Sequence, residues 1–220
     1  MRIFIATAKL DDIRWAHMHG LVDGVLTTPS LIASQVHPAG TNELLAEICR
    51  VAAFPVAATV GAVNASDIYR DAREIAKLSD SMIVQIPFVE DAIEAMKRLR
   101  ADGVRVAATL VFNAAQAVLA AKAGASMVCV HVDLLDAQGQ DGVSTIAEIH
   151  QVFELHSVEC DVLAALPRNA SQFTGCALAG ADAIAVSADV LRALLLHPLT
   201  DRGLDQFLTD LSRSHRTRVT

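Results

Sequence analysis

Basic and aromatic residues are scarce in this chain. Its 220 residues include 18 lysines or arginines against 25 aspartates or glutamates, for a formal net charge of −7, and only 4% are aromatic. A nucleic-acid-binding surface needs a basic patch or stripe, and single-strand binders add aromatic residues on which bases stack. The composition therefore argues against nucleic acid as a partner.

Long hydrophobic runs are absent as well, although 53% of the residues are hydrophobic. Charged or polar residues interrupt every apolar stretch before it reaches the roughly 20 residues of a transmembrane helix. The chain starts with a strand-like segment, Met1-Arg2-Ile3-Phe4-Ile5, and not with the charged leader, apolar stretch and cleavage site of a secretory signal. We expect a cytoplasmic protein with no membrane partner.

Sequence signals for disulfides, metals and nucleotide cofactors are also missing. The four cysteines are too widely spaced for a zinc site or a disulfide framework, and we expect them to be reduced. His17 and His19 lie two residues apart, which points them to different sides of a helix. No G-x-G-x-x-G or G-x-x-x-x-G-K-S/T motif occurs. We expect no metal and no cofactor.

What the chain does contain is a regular alternation of short apolar runs with longer segments of helical period. The runs predict eight strands, at 2–7, 24–27, 56–60, 82–86, 105–110, 127–132, 161–166 and 183–187. The amphipathic segments between them include 66–77, 89–99, 114–123 and 144–155. Parallel strands joined by right-handed helical crossovers close most readily into a (β/α)8 TIM barrel, and a doubly wound sheet is the alternative.

A single domain, residues 1–220, accounts for the whole chain. Pro198 follows the last predicted strand and its short helix, and the segment 201–211 then predicts an extra C-terminal helix. Leu204, Phe207, Leu208 and Leu211 lie on one side of it. An amphipathic helix beyond a closed barrel must bury this face on its own barrel or on a neighbouring subunit.

Three short motifs carry a resemblance to a known family. They are Thr27-Thr28-Pro29-Ser30-Leu31-Ile32, Ala114-Ala115-Gln116 and Asp136-Ala137-Gln138-Gly139. They resemble the T-T-N-P-S-I-I turn, the A-A-Q of the fifth helix and the D-A-Q-G loop of the small transaldolases and fructose-6-phosphate aldolases. The resemblance extends over almost the whole chain. It implies a TIM barrel of carbohydrate metabolism, a small sugar or sugar phosphate as ligand, and a homo-oligomer, a pentamer or decamer, assembled partly through the helix at about 199–213.

The resemblance also assigns catalytic positions, at which this chain departs from the family pattern. The lysine that forms a Schiff base at the end of the fourth strand is Gln85 here. Its amide is essentially non-basic and cannot act as that nucleophile. The proton-transferring aspartate of the first strand is Ala6, and the glutamine that orients a water is Thr59. Thr109, also of the water-binding group, is unchanged.

The substrate-binding positions differ too. Thr28 replaces the asparagine that would bind substrate hydroxyls, and Ser30 of the same motif is a further candidate for substrate binding. The phosphate-anchoring arginine is Leu134, and the serine at the end of the seventh strand is Leu166. Arg168 is a basic residue nearby that could partly substitute for them.

His131 stands where fructose-6-phosphate aldolases have a tyrosine proposed as acid or base. Imidazole, with an ordinary pKa of about 6.5, suits this role near neutral pH. Asp133, two residues on, is expected on the same side of the strand, either orienting His131 or binding substrate, or as part of a polar plug left after the lysine chemistry was lost. In that last case Asp136 caps the following loop or helix. Asn113 is expected to cap the next helix, and could also reach the ligand.

Among the four lysines, Lys9 alone is predicted to lie near the carboxyl ends of the strands, two residues past the first one. It is either a relocated amine, near the space left by Ala6, or a solvated loop residue. The other three, Lys77, Lys97 and Lys122, fall on predicted helices.

These features favour a transaldolase-like barrel that has lost the Schiff-base machinery. It would act on, or bind, a small hydroxylated carbonyl compound by a non-covalent mechanism with His131 as acid or base. The alternative is a pseudoenzyme, a metabolite-binding or scaffold protein without turnover. A true transaldolase or aldolase that uses Lys9 is the least favoured interpretation.

Overall fold

The computed structural model describes residues 1–35 and 40–217, with side chains through residue 212. Its strands are β1 (Arg2–Ala6), β2 (Gly24–Leu26), β3 (Val56–Thr59), β4 (Met82–Pro87), β5 (Val106–Val111), β6 (Met127–His131), β7 (Asp161–Ala165) and β8 (Ala183–Ser187). Each strand pairs in parallel with the next, and β1 pairs with β8, so the sheet closes on itself. The predicted (β/α)8 barrel is confirmed, and the doubly wound sheet is excluded.

The helices occupy the segments between the strands. They are α1 (Leu10–Met18), α2 (Pro29–Ala33), α3 (Thr41–Ala52), α4 (Ala65–Ala76), α5 (Ala92–Ala101), α6 (Ala114–Ala123), α7 (Val132–Ala137), α8 (Gly142–Leu155), α9 (Ala170–Leu178), α10 (Ala188–Ala193) and α11 (Pro198–Thr217). The prediction for α6 was correct at both ends, and those for α4, α5 and α8 differ by no more than three residues. Asn113 caps α6 as predicted, because its side chain accepts a hydrogen bond from the Gln116 N–H.

One predicted loop is partly helical. Asp136 and Ala137, the first two residues of the D-A-Q-G motif, end α7. This helix starts directly after β6, so the strand predicted to reach Val132 stops at His131, and Asp133 lies on a helix. Val132 and Leu135 are both buried and lie three residues apart, so a helix places both side chains on the face that packs on the core.

The core has two parts, separated by the wall of strands. A large outer cluster packs the helices against the barrel. The inner cluster fills the barrel and consists of Phe4, Ala6, Leu26, Ala57, Ile83, Ala107, Met127, Cys129, Leu163, Ala165, Ala183 and Ala185. Gly24 faces the Phe4 ring so closely that an added Cβ would lie 2.4 Å from a ring carbon. Only glycine therefore lets this ring fill the barrel beneath the carboxyl ends of the strands.

The last helix, α11, is longer than predicted and begins at Pro198. All of its described side chains, residues 198–212, are exposed. Among them are Leu199, Leu204, Phe207, Leu208 and Leu211. No helix within the described ranges combines the length and apolar character needed to span a membrane.

Candidate active site

Four neighbouring strands each carry a polar side chain at the carboxyl end of their inner face. Thr59, Gln85, Thr109 and His131 lie near the carboxyl ends of β3, β4, β5 and β6. Side chains alternate along a strand, so each polar residue shares the inner face with the residue two positions earlier. Those earlier residues all belong to the inner cluster and are Ala57, Ile83, Ala107 and Cys129. Since this end of a TIM barrel carries the active site, the four polar residues mark the candidate site.

Gln85 is held by the backbone of a strand that is not its neighbour. It is buried, with 2% of its surface exposed, and its Nε2 donates a 2.8 Å hydrogen bond to the carbonyl oxygen of Thr27, just past β2. The amide thus bridges the ends of β4 and β2 across β3. An amide nitrogen is delocalised and forms no Schiff base. Gln85 therefore supplies hydrogen bonding, and not a nucleophile, to this site.

His131 lies between a hydroxyl and a carboxylate. Its Nε2 is 3.2 Å from Thr109 Oγ1, and its Nδ1 is 3.7 Å from Asp133 Oδ1. With the proton on Nδ1, the imidazole faces Asp133 with a donor, and Nε2 accepts from the Thr109 hydroxyl. Asp133 Oδ1 is buried and has no hydrogen-bond partner among the described residues. This oxygen of Asp133 therefore faces His131 Nδ1.

Two opposite effects set the pKa of His131. Burial is the larger effect and lowers the pKa below its ordinary 6.5, whereas the negative charge of Asp133, 3.7 Å from the ring, raises it. The imidazole is thus neutral at neutral pH and can accept a proton. Beneath it, burial raises the pKa of the Cys129 thiol to about 12, so this cysteine remains a protonated thiol.

Alkyl and aromatic groups also lie at this end of the barrel. Leu31 of α2 and Leu166, directly after β7, pack against the inner cluster. Leu166 adopts a φ of 61°, a left-handed conformation that is rare for leucine. Leu134 on α7 and Phe112 after β5 line a rim pocket of about 400 Å³. The carboxyl end of the barrel therefore carries apolar side chains as well as the four polar ones.

Comparison with known proteins gives these features a family. A family model described as "Transaldolase/Fructose-6-phosphate aldolase" matches residues 3–218. This chain belongs to the transaldolase/fructose-6-phosphate aldolase family. A "Probable transaldolase" from Hyphomonas neptunium is 41% identical over 97% of this chain and 98% of its own length. Proteins with the same description from Methanococcus maripaludis (strain C7) and Clostridium perfringens are 40% and 35% identical, over 96% and 97% of this chain and 97% and 99% of their own lengths.

Other residues predicted for the transaldolase-family site lie around its edge. Thr28 Oγ1 caps α2 by accepting a 3.2 Å hydrogen bond from the Leu31 N–H, and it lies 2.9 Å from the hydroxyl of Ser30. Thr28 and Thr59 line a separate pocket of about 510 Å³ between the ends of β2 and β3 and the helices α3 and α4. The structure brings these two together, beside Gln85 but apart from the rim pocket.

The two cations predicted at the mouth of the transaldolase-family barrel are placed differently. Arg168 is exposed, and its Nη2 donates a 3.0 Å hydrogen bond to the backbone oxygen of Asp133. Lys9 is exposed and lines a third pocket of about 370 Å³ with Asp11, Arg14 and Gln35. Arg168 therefore contacts the helix next to His131, while Lys9 does not share a pocket with Gln85 or His131.

Sequence reasoning missed several contacts that shape this transaldolase-family site. Nothing in the sequence identifies the Thr27 carbonyl as the partner of Gln85, because every residue carries such an oxygen. The packing of Leu31 on the inner cluster was missed also, although its place in the turn motif after the second strand was a usable signal. A third missed contact is the hydrogen bond that Gln172 Nε2 donates to Asp136 Oδ2, which joins α9 to the end of α7.

Proposed function

We propose that this chain is a transaldolase-family enzyme of carbohydrate metabolism that acts on a small hydroxylated carbonyl compound without forming a Schiff base. The observation that carries the proposal is that the strand ends hold an amide in place of an amine, together with a buried imidazole. Gln85 cannot supply an amine, and His131, held between Thr109 and Asp133, supplies a neutral base inside the barrel.

Proton transfer at the carbon beside the carbonyl is the step that these groups support. The Thr109 hydroxyl first turns its O–H from His131 Nε2 toward the carbonyl oxygen. Nε2 then takes the proton, the C–H electron pair becomes the enolate double bond, and the carbonyl oxygen takes the negative charge. The Thr109 hydroxyl and the second N–H of Gln85 are donors for that oxygen, while Thr28 and Thr59 position hydroxyl groups or water. The enolate leads to isomerisation, dehydration or non-covalent aldol chemistry.

Hydrogen exchange in D₂O tests this step directly. Dihydroxyacetone is incubated with the protein, and NMR follows the loss of the proton signal at carbon. We expect the wild-type protein to accelerate exchange and His131→Gln to lower the rate at least about a hundredfold, since a general base contributes that much or more. Thermal unfolding of the variant checks that it is folded. Equal exchange in both proteins would remove His131 from the mechanism.

Borohydride trapping separates this proposal from covalent aldolase chemistry. The wild-type protein, Lys9→Met and Gln85→Lys are each reduced in the presence of dihydroxyacetone or fructose 6-phosphate, and intact mass and peptide mapping locate any adduct. Gln85→Met is the matched control, since it has similar length and no amine. We expect no adduct on the wild-type protein, whereas an adduct that Lys9→Met abolishes would establish a relocated amine.

A binding protein without turnover is the second candidate, and one observation favours it. Leu31 and Leu166 pack onto the inner cluster, so part of the barrel mouth is apolar. Saturable binding of a hydroxylated ketone with no proton exchange at any pH would support the pseudoenzyme.

The family also supports a wider setting for this function. We propose that the protein is cytoplasmic and forms a homo-oligomer, a pentamer or decamer, in which α11 provides part of the interface. The exposed apolar side chains of α11 support this, because an apolar helix face is normally covered.

A further inference from the structure

The rim pocket is lined by residues that closely follow the polar pair, Thr109 and His131, in the chain. Phe112 lies three residues beyond Thr109, and Leu134 and Leu135, on α7, lie three and four residues beyond His131. These residues thus continue the two strands whose side chains, Thr109 and His131, lie 3.2 Å apart. Ala137, Gln138 and Gln140 complete the lining. Thr109 and His131 do not themselves line the pocket, so a ligand whose carbonyl lies at His131 would have to extend past the ends of β5 and β6 to reach it.

The charges at the mouth are unfavourable for an anionic ligand. The segments between each strand and the following helix all lie within the described residues, and their lysines and arginines are Lys9 and Arg168. Arg168 directs one guanidinium nitrogen to the backbone oxygen of Asp133, and Lys9 lines a different pocket. Asp133 Oδ1, buried beside His131, has no hydrogen-bond partner in this part of the chain. A phosphate here would meet the Asp133 carboxylate and leucines, with Arg168 as a nearby cation that is already partly engaged by the backbone oxygen of Asp133.

We propose that the site selects an uncharged hydroxycarbonyl compound bearing an apolar group, and that Phe112 and Leu134 seat this group in the rim pocket. The inference rests on the proposed function, because it takes the carbonyl to lie at His131. Leu134 is 43% exposed, so a bound apolar group would remove exposed surface of this side chain from water. Each buried methylene group strengthens binding about fourfold.

Calorimetric titration with two pairs of probes tests the proposal. Hydroxyacetone is compared with hydroxymethyl butyl ketone, which is three methylene groups longer, and dihydroxyacetone with its phosphate. We expect the longer ketone to bind at least tenfold more tightly than hydroxyacetone, and the phosphate to bind more weakly than dihydroxyacetone. Equal affinities within the first pair, or tighter binding of the phosphate, would overturn the inference and leave the proposed function standing.

Two variants assign the effect to the pocket. Leu134→Arg should remove the advantage of the longer ketone and improve binding of the phosphate at least tenfold, and Leu134→Ala should weaken the longer ketone alone. Leu119→Arg, at an exposed leucine on α6, is the matched control and should change neither pair. An unchanged preference in Leu134→Arg contradicts the assignment. If no probe binds and none undergoes His131-dependent exchange, the proposed function itself fails.

Discussion

The imidazole of His131 experiences burial and a nearby carboxylate at once, and the two act in opposite directions on its pKa. Burial prevails and keeps the ring neutral, while Asp133 faces Nδ1 and leaves Nε2 as the acceptor. We therefore propose Asp133 as a positioning residue for His131, and the proposed proton transfer depends, at the scale of single residues, on the ring orientation.

Replacing Asp133 by asparagine should change the pH dependence of proton exchange. Because Asp133 raises the pKa of His131, its loss lowers that pKa further. We expect the acidic limb of the rate–pH profile to move to lower pH, with a lower maximal rate because the ring orientation is less well fixed. The exchange assay measured across pH checks this. Asp189→Asn, an exposed first-turn aspartate on α10, should leave the profile unchanged.

Folding stability should also depend on His131. Its pKa in the folded protein lies below the ordinary 6.5, so on acidification the unfolded chain binds this proton first. The contribution of His131 is thus fully present above 6.5 and is lost as the pH falls from there to the lowered pKa. We expect urea unfolding at a series of pH values to show this loss in the wild-type protein and a smaller one in His131→Gln. Parallel profiles would contradict the lowered pKa.

At the scale of elements, α7 sets the position of Asp133. The helix follows β6 without a loop, and Gly142, the first residue of α8, packs against its first turn. An added Cβ at Gly142 would lie 2.7 Å from Val132 Cγ1 and 3.1 Å from Asp136 Oδ1. The close approach of α8 to α7 therefore requires glycine here, and α7 has little freedom to move.

Gly142→Ala should displace α7 and destabilise the fold. We expect a loss of about 1–3 kcal/mol in the free energy of unfolding, as for other overpacked sites, together with slower proton exchange because Asp133 shifts. Urea denaturation measures the first effect. Gly61→Ala, at a glycine whose Cβ would meet open space, is the control and should cost little. Equal stability of both variants would show that α7 yields easily.

The elements also show what the sequence can and cannot predict. The placement of Gln85, Thr109 and His131 at strand ends followed from the short apolar runs, from barrel closure and from the family resemblance. The start of α7 at Val132 did not, because a short segment with two apolar residues suits either a strand end or a helical turn. The Gln85–Thr27 bond joins residues 58 apart through a backbone oxygen, and no side-chain pattern encodes such a contact.

At the scale of the whole molecule, α11 carries an apolar face that the single chain leaves uncovered. Its exposed side chains include Leu204, Phe207 and Leu208. The helix itself was predictable from its amphipathic period and from Pro198, but its partner was not, because the apolar face suits its own barrel or a second chain equally well. In the structure, the described part of this face does not pack on the barrel of its own chain.

Phe207→Glu should therefore disrupt assembly. A charged side chain in an apolar interface is costly to desolvate, so we expect light scattering coupled to size-exclusion chromatography to show a large fall in mass from that of the wild-type oligomer. Leu178→Glu, at a leucine on α9 that is 84% exposed, is the matched control and should retain the wild-type mass. A wild-type protein that runs as a monomer would contradict the proposed role of α11.

The exposure of α11 would separate folding of the barrel from the proposed association of subunits in time. None of its described side chains is buried in the barrel, so closure of the eight strands does not wait for the helix. Barrel formation is then a first-order event, independent of protein concentration, whereas the association that we propose through α11 would be second-order and would accelerate with concentration. During refolding, the signal of barrel packing should appear at a fixed rate at every dilution, and only the growth in mass should slow as the sample is diluted.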